Sequence, residues 1–128
     1  MIAKDKITLK TIAFAAIVTS STVGAETPSI IRDECLTAAV YYREALSNRL
    51  SGINDETTYS ILEKKVGNRQ LAGIITMSAY ETKLSDSYGE IKKDEKVLEH
   101  GKRFYFYCVD NFNDPIGRFT YMGQIKQH

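Results

Sequence analysis

Two histidines, two cysteines and eight tyrosines are the side chains through which this chain could do chemistry. His100 sits in a charged stretch, and the other histidine is His128. No histidine pair, no thiolate pair at metal spacing and no carboxylate group with calcium-loop spacing occurs. Beyond residue 25 there is no Gly-x-Ser-x-Gly elbow, no Ser-x-x-Lys and no phosphate-cradling glycine loop. Glu34, Glu44, Glu56 and Glu63 read as solvated helix faces rather than as an acid–base pair. The expectation is a non-enzymatic protein with no metal and no cofactor.

Cys35 and Cys108 form an even pair, each in an apolar or aromatic run without a nearby histidine. They read as a disulfide rather than as reactive thiols. Closing a loop of about 74 residues stabilises a chain by roughly 4 kcal/mol on the chain-entropy model. Tyrosine combines a large ring with one polar handle and is enriched where proteins meet. A recognition surface around Tyr41, Tyr105 and Tyr107 is one reading. The other makes the tyrosines core-edge residues of a small bundle short of large aliphatics. Arg49, near a helix end where the dipole favours a cation, joins the candidate partner contacts.

Four helices would position these groups. Residues 28–51 carry apolar side chains at Ile31, Cys35, Ala38, Ala39, Tyr42, Ala45, Leu46 and Leu50, one face of a helix. Thr27 would cap it, Pro28 would take its first position and Gly52 would stop it. Asn54 or Asp55 would cap a second helix over 56–66 with Tyr59, Leu62 and Val66 inward, ended by Gly67-Asn68. A third would run from Arg69 to Thr82 with Leu71, Ile74, Ile75, Ser78 and Ala79 inward. Ser85 to Gly89 is turn-rich.

The last third admits two readings. As a helix, Val97, Gly101, Phe104 and Cys108 align, and Glu99 meets Lys102 or Arg103. As a strand, the run Phe104–Val109 has favourable β content, with a hairpin turn at 113–117. Helix is favoured, because Cys108 then faces the same core as Cys35. The predicted fold is all-α: a small four-helix bundle tied by one disulfide, with an irregular or short-strand C-terminal tail.

Residues 1–25 read as a cleavable secretion signal. Lys4, Lys6 and Lys10 precede an apolar run from Thr11 to Val18, and Val23 and Ala25 suit a cleavage site. The uncharged run, Thr11 to Ala25, is too short and too rich in small residues for a spanning helix. Residues 26–128 would form one domain with 14 Lys+Arg against 15 Asp+Glu, a net charge of −1. That balance argues against nucleic-acid binding, which needs a basic face. The expected location is periplasmic or secreted, with no membrane span after signal removal.

Cys35, the helix end Arg49 to Gly52, the pair Ala79-Tyr80 and the aromatic-flanked Tyr107-Cys108 resemble a pattern in small exported bacterial proteins of unknown function. That group commonly has a proline after the mid-chain tyrosine, whereas Glu81 to Ser85 has none here. The resemblance implies an all-α fold with a helix-to-helix disulfide and supplies no activity. A fainter likeness, of architecture alone, is to periplasmic immunity proteins that neutralise type VI secretion amidases. The functional expectation is binding of another periplasmic or secreted protein, with an inhibitor or immunity protein as its concrete form. The alternative is a small-ligand or envelope-stress protein with an aromatic pocket lined by Phe104 to Tyr107.

Overall fold

The computed structural model describes residues 28–123. Residues 1–25, expected to be a secretion signal, and also Thr27 and His128, lie outside the described residues. Four α-helices follow in order: α1 Ser29–Leu50, α2 Asp55–Val66, α3 Arg69–Tyr80 and α4 Glu90–Asp110. A short 3-10 helix, Gly117–Phe119, completes the tail. The protein is an all-α four-helix bundle, and no strand occurs among the described residues.

Local chemistry sets the helix ends. Asn54 accepts from the Thr57 amide at the start of α2, and Asn68 accepts from the Leu71 amide at the start of α3. Each satisfies one of the donors that a first turn leaves orphaned. Gly67 ends α2 at φ 73, a left-handed conformation in which a Cβ would be strained. Four expected boundaries shift by one or two residues, α1 ending at Leu50 and α2 starting at Asp55 among them. Pro28 is the residue before α1 rather than its first position, its ψ of 143 being extended. α3 stops at Tyr80, two residues short of Thr82.

The ambiguous third is helical. α4 runs unbroken from the charged stretch through the aromatic run, and the hairpin does not form. Gly101, Phe104 and Cys108 are buried along one face, with His100 beside them. The alternation that favours a strand would have turned every second ring of Phe104–Tyr107 to the same side. The helix instead distributes them around its axis.

α1 is the central element and packs on all three other helices, while α4 packs on α1 and the tail. Cys35 and Cys108 are bonded, with Cα atoms 5.7 Å apart, and join the early part of α1 to the late part of α4. The two helices are therefore antiparallel. Between them Tyr42 stacks on Phe104 with centroids 4.5 Å apart, and Tyr121 meets both rings edge-on. Such pairs are worth about 0.5–1.5 kcal/mol each beyond area burial. Tyr121 comes from the tail, so the tail is part of the core. Arg118 secures it: the guanidinium lies on the Phe112 ring, donates to the Phe112 carbonyl and meets Glu34 on α1.

Polar groups inside this core are joined in chains. Thr82 Oγ1 donates to the Ser78 carbonyl, so it accepts from the Tyr42 hydroxyl at 2.6 Å. Burial raises the Tyr42 pKa and keeps that donor protonated. Ser78 Oγ in turn donates to the Phe119 carbonyl. His100, which sits in a charged stretch of sequence, is buried and shares a 2.8 Å hydrogen bond with Tyr121. Burial lowers the His100 pKa below its ordinary 6.5 and pushes Tyr121 up to about 12.

Two outcomes follow. The double variant Cys35→Ser/Cys108→Ser will lose about 4 kcal/mol of stability in urea titrations against the oxidised protein. A loss below about 1 kcal/mol would show that the bridge constrains little. The second concerns pH. An imidazole whose folded pKa lies below its unfolded value leaves stability intact above about 6.5 and erodes it as pH falls from there toward the folded value. The melting temperature will therefore drop between pH 7.5 and 5. His100→Gln, which keeps a partner for Tyr121 but does not titrate, will flatten that dependence.

Candidate functional site

The residues singled out from sequence do not converge. Tyr41 borders a cleft of about 750 Å³ beside the tail, with Ile30, Val66, Leu71 and Phe112 among its lining. Tyr107 packs on Tyr121 at 6.0 Å between ring centroids. Tyr105 borders a different groove, between α1 and α4. All eight tyrosines are buried or half-buried, and none is exposed. They serve mainly as core and core-edge residues. Tyr80 illustrates why: its hydroxyl donates to the Ile53 carbonyl and shares a 2.8 Å bond with Thr58, fastening the α1–α2 connection to α3.

Arg49 has a structural task. Its Nη1 donates to the carbonyls of Ala79 and Thr82 at 2.9 and 2.7 Å. Nη2 reaches the Leu84 carbonyl at 3.2 Å, and Nε meets the Asp86 carboxylate at 2.8 Å. A further Nη2 contact to Asp86, at 3.4 Å, uses the fifth donor of the guanidinium. With every donor engaged, Arg49 ties down the connection between α3 and α4, the segment that lacks a proline. The dipole argument from sequence placed it at the end of α1 but not on this loop.

The aromatic run does not line one cavity. Phe104 is buried, Tyr107 faces the tail, and Tyr105 and Phe106 lie on the outer side of α4. The charges also sort themselves. Glu99 pairs with Arg103 and Lys96 rather than with Lys102. Glu34, Glu44 and Glu63 meet Arg118, Lys65 and Arg69 at the surface. Such exposed pairs are each worth under about 1 kcal/mol. Among the described residues no group of His, Cys, Asp or Glu is placed to hold a metal ion, and no helix is long and apolar enough to cross a membrane.

The outer face of the α1–α4 pair is different in kind. Leu36, Val40, Leu98 and Phe106 are 49, 51, 59 and 55 % exposed, large apolar side chains facing water. With Tyr105 they border one groove of about 710 Å³. Large apolar side chains brought together on one exposed face make this groove the candidate docking surface. Leu36 and Val40 are one turn apart on α1, and Leu98 and Phe106 are two turns apart on α4. The pair Leu36 and Val40 stands beside the buried stripe of α1, not on it.

One residue makes the groove's shape. A Cβ at Gly101 would stand 2.4 Å from Arg43 Cγ and 2.5 Å from Cδ. The absence of a side chain there lets the Arg43 stem cross α4. Glycine inside a helix is less favourable than alanine by about 1 kcal/mol. Its presence at the crossing is accounted for by the arginine laid over it.

No family model, curated protein or solved structure matches this chain. The groove is therefore read from its own geometry.

The clamp role of Arg49 has a direct test. Arg49→Ala will cost about 2 kcal/mol, since it strips charged hydrogen bonds from several loop carbonyls. Amide hydrogen exchange will quicken across residues 81–89. Unchanged stability and exchange would return Arg49 to the list of surface contacts.

Proposed function

We propose that this is an exported, non-enzymatic protein that works by binding another protein, and that it does so through the outer face of α1 and α4. One observation carries the reading: Leu36, Val40, Leu98 and Phe106 stand exposed along one groove, with the half-buried Tyr105 on its wall. The Cys35–Cys108 bond supports an oxidising compartment, periplasmic or extracellular, in line with the secretory character of residues 1–25. The near-neutral charge of residues 26–128 favours a protein partner over a nucleic acid. An inhibitor or immunity protein is the concrete form of this proposal. Such a protein needs a rigid face and no catalytic groups, and the disulfide holds the two helices of this face together.

Interface energetics concentrate in a few apolar anchors near the centre of a patch. Phe106 is the natural anchor here, as the largest of the four exposed apolar side chains. A photo-crosslinking amino acid placed at Phe106 or Leu36 in cells of the native host will yield one discrete adduct. The same group at Lys64, exposed on α2, will yield none. Equal yields from all three positions, or no adduct from any, would refute this reading.

A further inference from the structure

The α1–α4 groove is not purely apolar. Arg43 and Lys102 also border it. Neither takes part in an ion pair or hydrogen bond among the described residues. The same helices show what their neighbours do: Arg49 meets Asp86, Arg118 brings Glu34 into a pair, and Lys92, Lys93, Lys96 and Arg103 each have a carboxylate. Lys64 and Lys83, elsewhere on the surface, also lack a partner, so what distinguishes Arg43 and Lys102 is that both unmatched charges border one apolar groove. Arg43 has room to lie there because Gly101 leaves open the space that a Cβ would fill.

The arrangement has a register. α1 presents Leu36, Val40 and Arg43, and α4 presents Leu98, Lys102 and Phe106, each row following helical spacing. The helices run antiparallel, so Leu36 lies toward Phe106 and Arg43 lies toward Leu98. From Leu36 to Arg43 the groove extends about 10 Å, two turns of helix. Both walls are helices, with no unpaired strand edge to recruit an extended peptide. A helix laid between two helices, anchoring aliphatic side chains at i, i+3, i+4 and i+7, is the recognition mode this shape suits. Complementary charge then sets which helix is accepted.

Resting on the protein-binding reading above, we infer that the partner element is an amphipathic helix with an aliphatic stripe flanked by Asp or Glu, whose carboxylates meet Arg43 and Lys102. The aliphatic stripe fills the space between Leu36, Val40, Leu98 and Phe106. The carboxylates supply the counter-charges that the bundle itself withholds.

The test uses the oxidised protein and two capped 16-residue helical peptides with an identical leucine stripe. One carries glutamate at the flanking positions and the other lysine. Fluorescence anisotropy gives the affinities, and amide shifts locate the site. The glutamate peptide will bind at least tenfold more tightly than the lysine peptide and will shift Leu36, Val40, Leu98 and Phe106. Arg43→Gln/Lys102→Gln will remove that preference. Gly101→Ala keeps both charges but displaces Arg43, and it will weaken the glutamate peptide several-fold at unchanged helix content. Equal binding of both peptides at this face would overturn the acidic requirement and leave protein binding standing. Shifts confined to another face, or no binding of either peptide, would overturn the inference, while the crosslinking outcome decides the broader reading separately. Sedimentation showing a dimer closed over Phe106 would overturn it too, by making a second copy the occupant.

Discussion

The seam between α1 and α4 is the constraint on which the rest of this structure depends. It is fixed at two points of different chemistry. At one end a covalent bond joins Cys35 to Cys108. Toward the other, Gly101 removes the one Cβ that would hold the Arg43 stem away. Between them Tyr42 and Phe104 stack, and the tail inserts Tyr121 against both. The inner side of the seam is thus a cluster of rings, while its outer side is the exposed groove. One pairing of helices creates both the core and the candidate binding face, so the face inherits the rigidity of the core.

The other half of the bundle adds directional polar contacts to the apolar packing of Leu62, Ala72, Ile75 and Ala79. Asn48 donates to Thr58, Thr58 shares a hydrogen bond with Tyr80, and Tyr80 donates to the Ile53 carbonyl. Arg49 gathers the connection between α3 and α4. In a domain of this size the apolar area is modest, and buried polar groups must be satisfied for the fold to be unique. Threonine, serine and tyrosine hydroxyls do this at the places where chain segments of different elements meet. Tyr42, Tyr80 and Tyr121 owe their positions to such contacts.

Much of the architecture was legible in the sequence, because helix ends and buried stripes are local properties. Asn54, Asn68 and Gly67 act within four residues of themselves, and the stripe from Cys35 to Leu50 follows from spacing alone. Phe104–Val109 was ambiguous because aromatic residues suit both helix and strand. Only the need to bring Cys108 to Cys35 favours the helix. The roles of Arg49 and His100 were not legible. Their partners lie 21 to 37 residues away, and a charged neighbourhood in sequence says nothing about burial in space. The groove escaped for a related reason. Periodicity shows which side chains turn inward, not which of the remaining apolar ones on two separate helices come to lie side by side. Leu36 and Val40 were visible as aliphatics off the stripe, and that was the signal available for the site.

The tail's part in the core bears on the order in which the fold can assemble. α1 contributes the first members of the aromatic cluster, but its partners arrive late: Cys108 is 73 residues downstream and Arg118 reaches Glu34 across 84. A chain emerging from a ribosome or a narrow channel, N-terminus leading, cannot complete this centre until almost everything described here has passed through. Until then α2 and α3 can cover only part of the apolar stripe of α1, and the side that meets α4, with its lone thiol, stays open. Closure is an event of the last twenty or so residues, and it brings the ring cluster and the sulfur partner together in one step.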